Sequence, residues 1–297
     1  MMKPIQSFKS SLLVLLAAFW SVTAMANQES ARIMVSDVGF ATPESVEYDA
    51  AEDVYLVSNI NGSPFEADDN GFISKLSPEG KVIDLKWIDG ASDNVQLHAP
   101  KGMTIIGNKL FVADITQIRV FELPSGKQLP SINVQGSSFL NGITAGNGDY
   151  VYVSDTGMKP GFKSSGTDAI YKVWENGKVE TILKDPNMGR PNGILNDNGD
   201  IYVVFFSTAK MIKMDEKGHI TEMPKPFGAR LDGLVKLPDG SLAMSSWESS
   251  SIDVYKNGEY ETIAEFLNSP ADMGVDTKRN RLLIPLFNED KVLILPL

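Results

Sequence analysis

A four-residue phrase recurs six times along the chain, and this repetition limits the possible folds more than any other feature. The copies are Pro43-Glu44-Ser45-Val46, Pro100-Lys101-Gly102-Met103, Leu140-Asn141-Gly142-Ile143, Pro191-Asn192-Gly193-Ile194, Leu231-Asp232-Gly233-Leu234 and Pro270-Ala271-Asp272-Met273. Successive copies lie 57, 40, 51, 40 and 39 residues apart. A repeat of roughly 40–50 residues that contains several short strands is typical of a β-propeller, in which each repeat forms one blade.

Each repeat also contains further segments with strand character. The phrase opens an inner strand, a polar turn follows, and a run rich in β-branched and aromatic residues comes next. These runs cover residues 54–57, 110–113, 151–154, 201–204, 242–245 and 282–284. A third strand follows, and turn residues such as Lys256-Asn257-Gly258 lead to a fourth. The sequence therefore predicts an all-β fold, a six-bladed β-propeller of four-stranded blades.

The last repeat indicates how this propeller closes. Only three strands of the sixth repeat precede Leu297. The segment Arg32-Ile33-Met34-Val35, ahead of the first phrase, has strand character and can supply the fourth. We therefore expect an N-terminal strand to join the last blade, which removes an open sheet edge.

The first 26 residues have the features of a signal peptide. Lys3 and Lys9 give a positive start, Ser11 to Trp20 form a short apolar stretch, and Ala24-Met25-Ala26 resembles a cleavage site. We expect residues 1–26 to be removed and residues 27–297 to form the propeller domain. The protein is then exported, to the periplasm or outside the cell, with no membrane attachment after cleavage.

Composition excludes several classes of function. The chain contains no cysteine, which rules out disulfides and thiolate metal sites. Its formal net charge is -11, and becomes -13 when Lys3 and Lys9 are removed with the signal peptide. Nucleic-acid binding needs clustered Lys and Arg, so we expect no nucleic-acid partner. The acidic balance favours cations or simply solubility.

The second position of the phrase changes from blade to blade and suggests a metal site. Its residues are Glu44, Lys101, Asn141, Asn192, Asp232 and Ala271. The inner strands of a propeller surround a central channel, so the four oxygen-bearing side chains are expected to converge there. Two carboxylates and two amide oxygens suit one hard divalent cation, with Ca²⁺ as the expected ion. A polar channel lining without metal is the alternative.

The residues around these positions carry a family resemblance over the whole chain after residue 26. Residues 43–49, 140–143, 190–194 and 231–234 resemble the SMP-30/gluconolactonase-like six-bladed propellers and, more distantly, the paraoxonases. That resemblance implies one divalent cation held by Glu44, Asn141, Asn192 and Asp232. It also implies metal-assisted hydrolysis of a lactone or ester, a small-molecule substrate, with Asp232 as the base that orients or deprotonates water.

Two departures from the resemblance leave alternatives open. Blade two presents Lys101 where paraoxonase-like members carry a His used in proton transfer. Lys101 is a catalytic candidate if it meets an anionic substrate group, and a structural counter-ion to Glu44 and Asp232 otherwise. Because Gly142 follows Asn141, we expect one metal and not the two of paraoxonases. A non-catalytic propeller that binds a small ligand or a protein partner, or a metal-free enzyme of the strictosidine-synthase-like kind, remains an alternative.

Several residues near the expected channel mouth have weaker claims. Phe206, Trp247 and Phe287 fall in loops on the channel face, where they either line a pocket or pack in the core or at the rim. Asp272 lies one place past Ala271, so we expect it to point away from the channel. His98 lies near the mouth, but no Gly-x-Ser-x-Gly motif accompanies it, which disfavours nucleophilic catalysis.

Overall fold

The computed structural model describes Met1 and residues 32–297. Apart from Met1, the predicted signal peptide lies outside the described residues, and the domain start at residue 27 stays a prediction. All strands of the described residues are short, and no α-helix is present among them. None of the residues in this part of the chain forms a helix long and apolar enough to cross a membrane.

The described residues form 26 strands. In chain order these are β1 (Ile33–Val35), β2 (Pro43–Asp49), β3 (Val54–Asn59), β4 (Phe72–Leu76), β5 (Val82–Asp89), β6 (Pro100–Ile106), β7 (Lys109–Asp114), β8 (Gln117–Glu122), β9 (Lys127–Asn133), β10 (Leu140–Ala145), β11 (Tyr150–Asp155), β12 (Met158–Lys159), β13 (Lys163–Ser164), β14 (Ala169–Trp174), β15 (Val179–Lys184), β16 (Pro191–Asp197), β17 (Asp200–Phe205), β18 (Met211–Met214), β19 (Ile220–Glu222), β20 (Leu231–Lys236), β21 (Leu242–Ser246), β22 (Ser251–Lys256), β23 (Glu259–Ala264), β24 (Gly274–Asp276), β25 (Arg281–Leu286) and β26 (Lys291–Pro296).

These strands form six four-stranded antiparallel sheets, which confirms the predicted six-bladed propeller. Blades one, two, four and five use four consecutive strands each: β2–β5, β6–β9, β16–β19 and β20–β23. Blade three uses β10, β11, β14 and β15, and the small hairpin β12–β13 is inserted between its second and third strands. The phrase therefore begins the inner strand of blades one to five, as predicted.

The predicted closure is also confirmed. Blade six has the order β1-β26-β25-β24, so its outer strand comes from the N-terminal side of the chain. Ile33 pairs with Ile294, Met34 with Leu293, and Val35 with Val292. The chain ends are thus joined in one sheet, which leaves no open edge at β26.

An ionic cluster joins the first and last blades a second time. Asp53, in the turn after β2, accepts two hydrogen bonds of 2.7 Å from the guanidinium of Arg279 and one of 2.6 Å from Lys278. The Arg279 bonds hold the pKa of Asp53 well below its usual range. Nearby, the Tyr55 hydroxyl donates to Asp276 over 2.6 Å. These contacts lie at the face opposite the beginnings of the inner strands.

A buried hydrophobic cluster lies between each pair of adjacent blades. Between blades six and one, for example, Val35 and Val292 pack with Val57. The alternation of strand residues sends one set of side chains to each neighbouring blade, so successive sheets stack face to face around the ring. The hydrophobic cores therefore lie between the blades and leave the central channel to polar side chains.

Aspartates at the ends of second strands accept hydrogen bonds from the loops that lead into inner strands. Asp114 accepts the N–H groups of His98 and Ala99 at 3.2 and 2.8 Å. Asp155 does the same for Ser138 and Phe139 at 3.1 and 2.9 Å. These bonds fix the chain just before it enters the next inner strand. They position the face of the propeller on which the phrases begin.

Candidate functional site

Each phrase in blades one to five contains an irregularity in strand pairing. The register between the first and second strands shifts within residues 43–45, 100–103, 140–143, 191–194 and 231–234. A β-bulge adds a residue on one strand and re-aims a side chain. The second-position residues lie at these bulges, which accounts for their common placement at the ring.

The third position of the phrase is glycine where the inner strands approach most closely. A Cβ atom there would meet backbone of the next blade at 2.8 Å or less. The contacts are Gly102 to the carbonyl of Asn141 at 2.6 Å, Gly142 to that of Asn192 at 2.4 Å, Gly193 to that of Asp232 at 2.3 Å, and Gly233 to the nitrogen of Met273 at 2.7 Å. We call these four residues the glycine ring. It brings the second-position residues onto one small circle.

Glu44 and Asp232 are the two buried carboxylates of this circle. Each is 4% exposed. Burial, followed by the charges of Asp232 and Asp272, raises the pKa of Glu44 well above its ordinary value, and Lys101 acts in the opposite direction. Burial and then Asp272 likewise raise the pKa of Asp232. The carboxylates of blades one and five therefore face each other closely enough to repel.

Both carboxylates present an oxygen without a protein partner. Glu44 Oε2 and Asp232 Oδ1 are buried and form no hydrogen bond with any described residue. Asn192 and Trp247 lower the pKa of Asp232 by proximity, yet neither forms a hydrogen bond of ordinary geometry with Oδ1. A buried unpaired carboxylate oxygen is costly unless something outside the protein satisfies it.

The two amide side chains complete the set. Asn141 Nδ2 donates to Thr156 Oγ1 over 3.1 Å, and Thr156 in turn donates to the carbonyl of Pro191 over 2.8 Å. This bond engages the amide nitrogen of Asn141, which leaves the amide oxygen, Oδ1, on the other side of the group. Asn192 is 3% exposed and lies beside Asp232.

The residues present fit one hard cation. Two orphaned carboxylate oxygens and two amide oxygens are ligands of the kind that Ca²⁺ prefers. Among residues 32–297, no three His, Asp or Glu side chains gather as a metal-binding group. A cation at this ring would therefore depend on Asn141 and Asn192 as well as on the two carboxylates.

Lys101 is placed differently from the other second-position residues. Its Nζ donates to the carbonyl of Ala99 over 2.9 Å and lies 4.4 Å from the ring centroid of Phe139. Burial lowers the pKa of Lys101 to about 8, while Asp114 and Glu44 act to raise it. Glu44 and Asp114 therefore act on Lys101 through their charge, and its role as a counter-ion to Glu44 and Asp232 stays a prediction.

Asp272 contacts the neighbouring blade one, and the expectation that it points away from the channel stays a prediction. Asp272 is the third-position residue of blade six, where the glycine ring is interrupted. Its Oδ2 accepts a bond of 2.9 Å from Ser45 Oγ, the corresponding residue of blade one. Burial raises the pKa of Asp272 to about 7. Burial raises the pKa of Glu47 to about 8, and the charge of Asp272 adds to this effect.

Three aromatic side chains form a continuous row above blades four, five and six. We call Phe206, Trp247 and Phe287 the aromatic row. The ring centroids of Phe206 and Trp247 are 5.4 Å apart, and those of Trp247 and Phe287 are 5.1 Å apart. All three are half-buried. The sequence placed them on the channel face, and the structure adds that they contact one another.

The connections between the second and third strands of blades one and three, residues 60–71 and 156–168, meet on the other side of the mouth. Phe65 packs 5.1 Å from Phe139 and 5.2 Å from Phe162, between ring centroids. His98 is paired with Asp69, its Nδ1 lying 2.9 Å from Oδ1. His98 is therefore engaged by the first connection and does not join the carboxylates of the ring.

Comparisons with known proteins show the class of fold. A gluconolactonase from Xanthomonas campestris has a TM-score of 0.69 at 14% identity, over 89% of each chain. Streptogramin B lyase has a TM-score of 0.62 at 14% identity, over 89% of this chain and 97% of its own. Virginiamycin B lyase from Staphylococcus aureus has a TM-score of 0.61 at 15% identity, over 90% and 99%.

These likenesses place the chain among six-bladed propellers whose members include a lactonase and lyases. No family model matches the sequence, and no curated protein is similar to it. At 14–15% identity the solved structures establish the fold alone. The resemblance to the gluconolactonase-like group is therefore supported at the level of architecture. A shared fold does not determine the reaction, which depends on the second-position residues around the channel.

Proposed function

We propose that this protein is a metal-dependent hydrolase of lactones or related esters. Glu44, Asn141, Asn192 and Asp232 would hold one divalent cation, Ca²⁺ being the expected ion. The observation that carries the proposal is the pair of buried, unpartnered oxygens, Glu44 Oε2 and Asp232 Oδ1, beside two amides. The fold shared with a gluconolactonase supports it.

The chemistry follows from the ligand set. A cation held at this place would polarise a carbonyl and lower the pKa of water. Asp232 would take the proton from the attacking water as the general base. The new C–O bond forms at the acyl carbon, the ring C–O bond breaks, and the leaving oxygen takes a proton to give a hydroxy acid.

In this proposal Lys101 acts through its positive charge. Its ammonium is bonded to Ala99 and lies over Phe139, so it does not reach towards Asp232. It lowers the pKa of Glu44 and so favours the ionised carboxylate that a cation requires. Export to the periplasm or the cell exterior remains part of the proposal.

Thermal unfolding with EDTA and with excess Ca²⁺ tests the metal. A ligand present at about 100 times its Kd adds about 2.7 kcal/mol of stability, so we expect Tm to rise by about 5 °C or more. Glu44→Gln should abolish most of this rise. Glu47→Gln, the same substitution three residues further along β2, should preserve this rise in Tm. If both variants lost it equally, Ca²⁺ would be responding to the overall negative charge and not to Glu44 as a ligand.

A panel of lactones tests the reaction. We expect Asp232→Asn to lower kcat by about 10²–10⁴-fold, the usual contribution of a general base. Full activity in this variant would remove Asp232 from the mechanism. A protein that binds Ca²⁺ but hydrolyses none of the panel would fit a binding propeller instead.

A further inference from the structure

The aromatic row repeats a single structural position in three consecutive blades. Each of its members is the first residue after the second strand of its blade, and each donates its backbone N–H to the residue just before the phrase. These bonds run from Phe206 to Arg190 at 2.8 Å, from Trp247 to Arg230 at 3.1 Å, and from Phe287 to Ser269 at 3.1 Å. The phrase and the row are therefore fixed to each other in every one of these blades.

This arrangement places apolar surface beside the start of the phrase in blade five. Trp247 donates its backbone N–H to Arg230, two residues before Asp232, and its own Nε1 is buried without a partner. In blades one to three the equivalent residues are Ile60, Ile115 and Thr156, which are not aromatic. This structural position is therefore aromatic only in blades four to six.

We infer that the aromatic row is a specificity-determining wall that selects a lactone or ester carrying an aromatic or alkyl group. This inference rests on the proposed function for the reacting end of the molecule. The carbonyl lies at Asp232, and the apolar substituent lies along Phe206, Trp247 and Phe287. Aromatic side chains bury large apolar areas and fix orientation through their edges, which a flat aliphatic wall does not do.

The same wall disfavours a polyhydroxylated lactone. Its only polar group is Trp247 Nε1, a single donor. Several substrate hydroxyl groups turned towards it would lose water without gaining partners, and each unsatisfied group is costly. An apolar substituent gains affinity at the same place, since each buried methylene contributes about 0.8 kcal/mol, roughly a fourfold change in binding.

The first test compares kcat/KM for γ-butyrolactone, the same ring with a six-carbon alkyl chain, and glucono-δ-lactone. We expect wild type to prefer the alkyl lactone at least tenfold over the unsubstituted ring, and the sugar lactone to be poorest. Phe206→Ser and Phe287→Ser should lower the alkyl preference at least fivefold. Trp247→Phe, which retains a ring, should keep most of it. The ratio is independent of how much of each variant is folded.

Phe266→Ala is the matched control, because Phe266 is 93% exposed and follows β23 outside the aromatic row. It should leave the ratio unchanged. A wild-type ratio near one, a preference for the sugar lactone, or an equal effect of Phe266→Ala would overturn the inference.

A binding measurement separates this inference from the proposed function. The probes are 2-pyrrolidinone and its six-carbon alkyl derivative, which resist hydrolysis, titrated by calorimetry. If no lactone is hydrolysed, the hydrolase proposal fails, but the alkyl lactam should still bind wild type at least tenfold more tightly than the parent lactam. Equal affinities, or a preference that survives Phe206→Ser and Phe287→Ser, would overturn the wall.

Discussion

At the residue scale, burial favours the protonated form of three carboxyl groups, those of Glu44, Asp232 and Asp272, and repulsion adds to this effect for Glu44 and Asp232. The pKa of Glu44 and that of Asp232 are raised, and that of Asp272 reaches about 7. A cation at the ring would relieve this repulsion. The protein without metal should therefore pay for its acidic centre in stability, and the cost should depend on pH.

We expect the metal-free protein to lose stability as pH rises from 5 to 7.5. A carboxyl whose pKa is higher in the folded state than in the unfolded state binds more protons when folded, so unfolding becomes easier as pH rises between the two values. The slope is about 1.4 kcal/mol per pH unit for each such group. Unfolding in urea with EDTA at each pH gives this slope.

Added Ca²⁺ should reverse the trend, because a cation binds the deprotonated carboxylates. Its stabilising effect should be larger at pH 7.5 than at pH 5, and Asp272→Asn should flatten the metal-free slope. The range stops at pH 7.5 because Lys101, whose pKa is about 8, begins to titrate above it. A metal-free stability that rises across this range would contradict the account.

How far the sequence predicts the site depends on whether a residue belongs to the repeat. Glu44, Asn141, Asn192 and Asp232 could be selected because the phrase places them at one structural position. Asp272 could not be placed, because its partner Ser45 is 227 residues away in sequence. The position of Asp272 follows from its parallel bridge with Ser45, which joins blades six and one. Aligning the blades with one another does not reveal a contact between two blades.

At the scale of the element, β1 is the piece on which closure depends. It has only three residues, yet Val35 is 4% exposed and belongs to the cluster between blades six and one. Met34 points the other way and is 47% exposed. The alternation of a β-strand therefore offers a matched pair of neighbours, one buried and one exposed.

We expect Val35→Ala to destabilise the protein by about 2 kcal/mol, through lost burial and the cavity left behind. Met34→Ala should change stability by less than about 0.5 kcal/mol, as is usual for exposed positions. Chemical denaturation of both variants measures the difference. Equal effects would show that β1 contributes little beyond its backbone pairing.

The strand pattern was predicted well because each second and third strand combines β-branched residues with turn residues at its ends. The inner strand of blade six is the weakest case. The sixth phrase predicts a strand from Pro270, whereas β24 covers only Gly274–Asp276 and Pro270 forms an isolated bridge to Leu286. The pairing of Asp272 with Ser45 of blade one interrupts the strand, and the local sequence does not predict this long-range contact.

At the scale of the whole molecule, the glycine ring sets how closely the inner strands of blades two to six approach one another. Gly193→Ala would place a methyl group 2.3 Å from the carbonyl of Asp232 and 2.8 Å from the nitrogen of Leu234. Both obstacles are backbone, so relief requires the blades to move apart. We expect a loss above the ~1–3 kcal/mol typical of overpacking, and a weaker response to Ca²⁺.

Gly148→Ala is the control for this substitution. A Cβ atom at Gly148 would lie 3.4 Å from the ring of Tyr150, an ordinary contact. We expect little change in Tm and an unchanged Ca²⁺ response. If Gly193→Ala were equally mild, the inner strands would have more room than their backbone distances indicate, and the second-position side chains would be less fixed.

The pairing of β1 with β26 also sets an order of events during synthesis. Strand β1, the first of the described strands to leave the ribosome, finds its partner only in β26, residues 291–296. Until then blade six lacks both of its outer strands, and a nascent chain can assemble blades one to five but cannot close the circle. A ribosome stalled shortly before residue 291 should therefore hold an open arc, sensitive to protease at β1, that becomes resistant once translation resumes and residues 291–296 have left the ribosome.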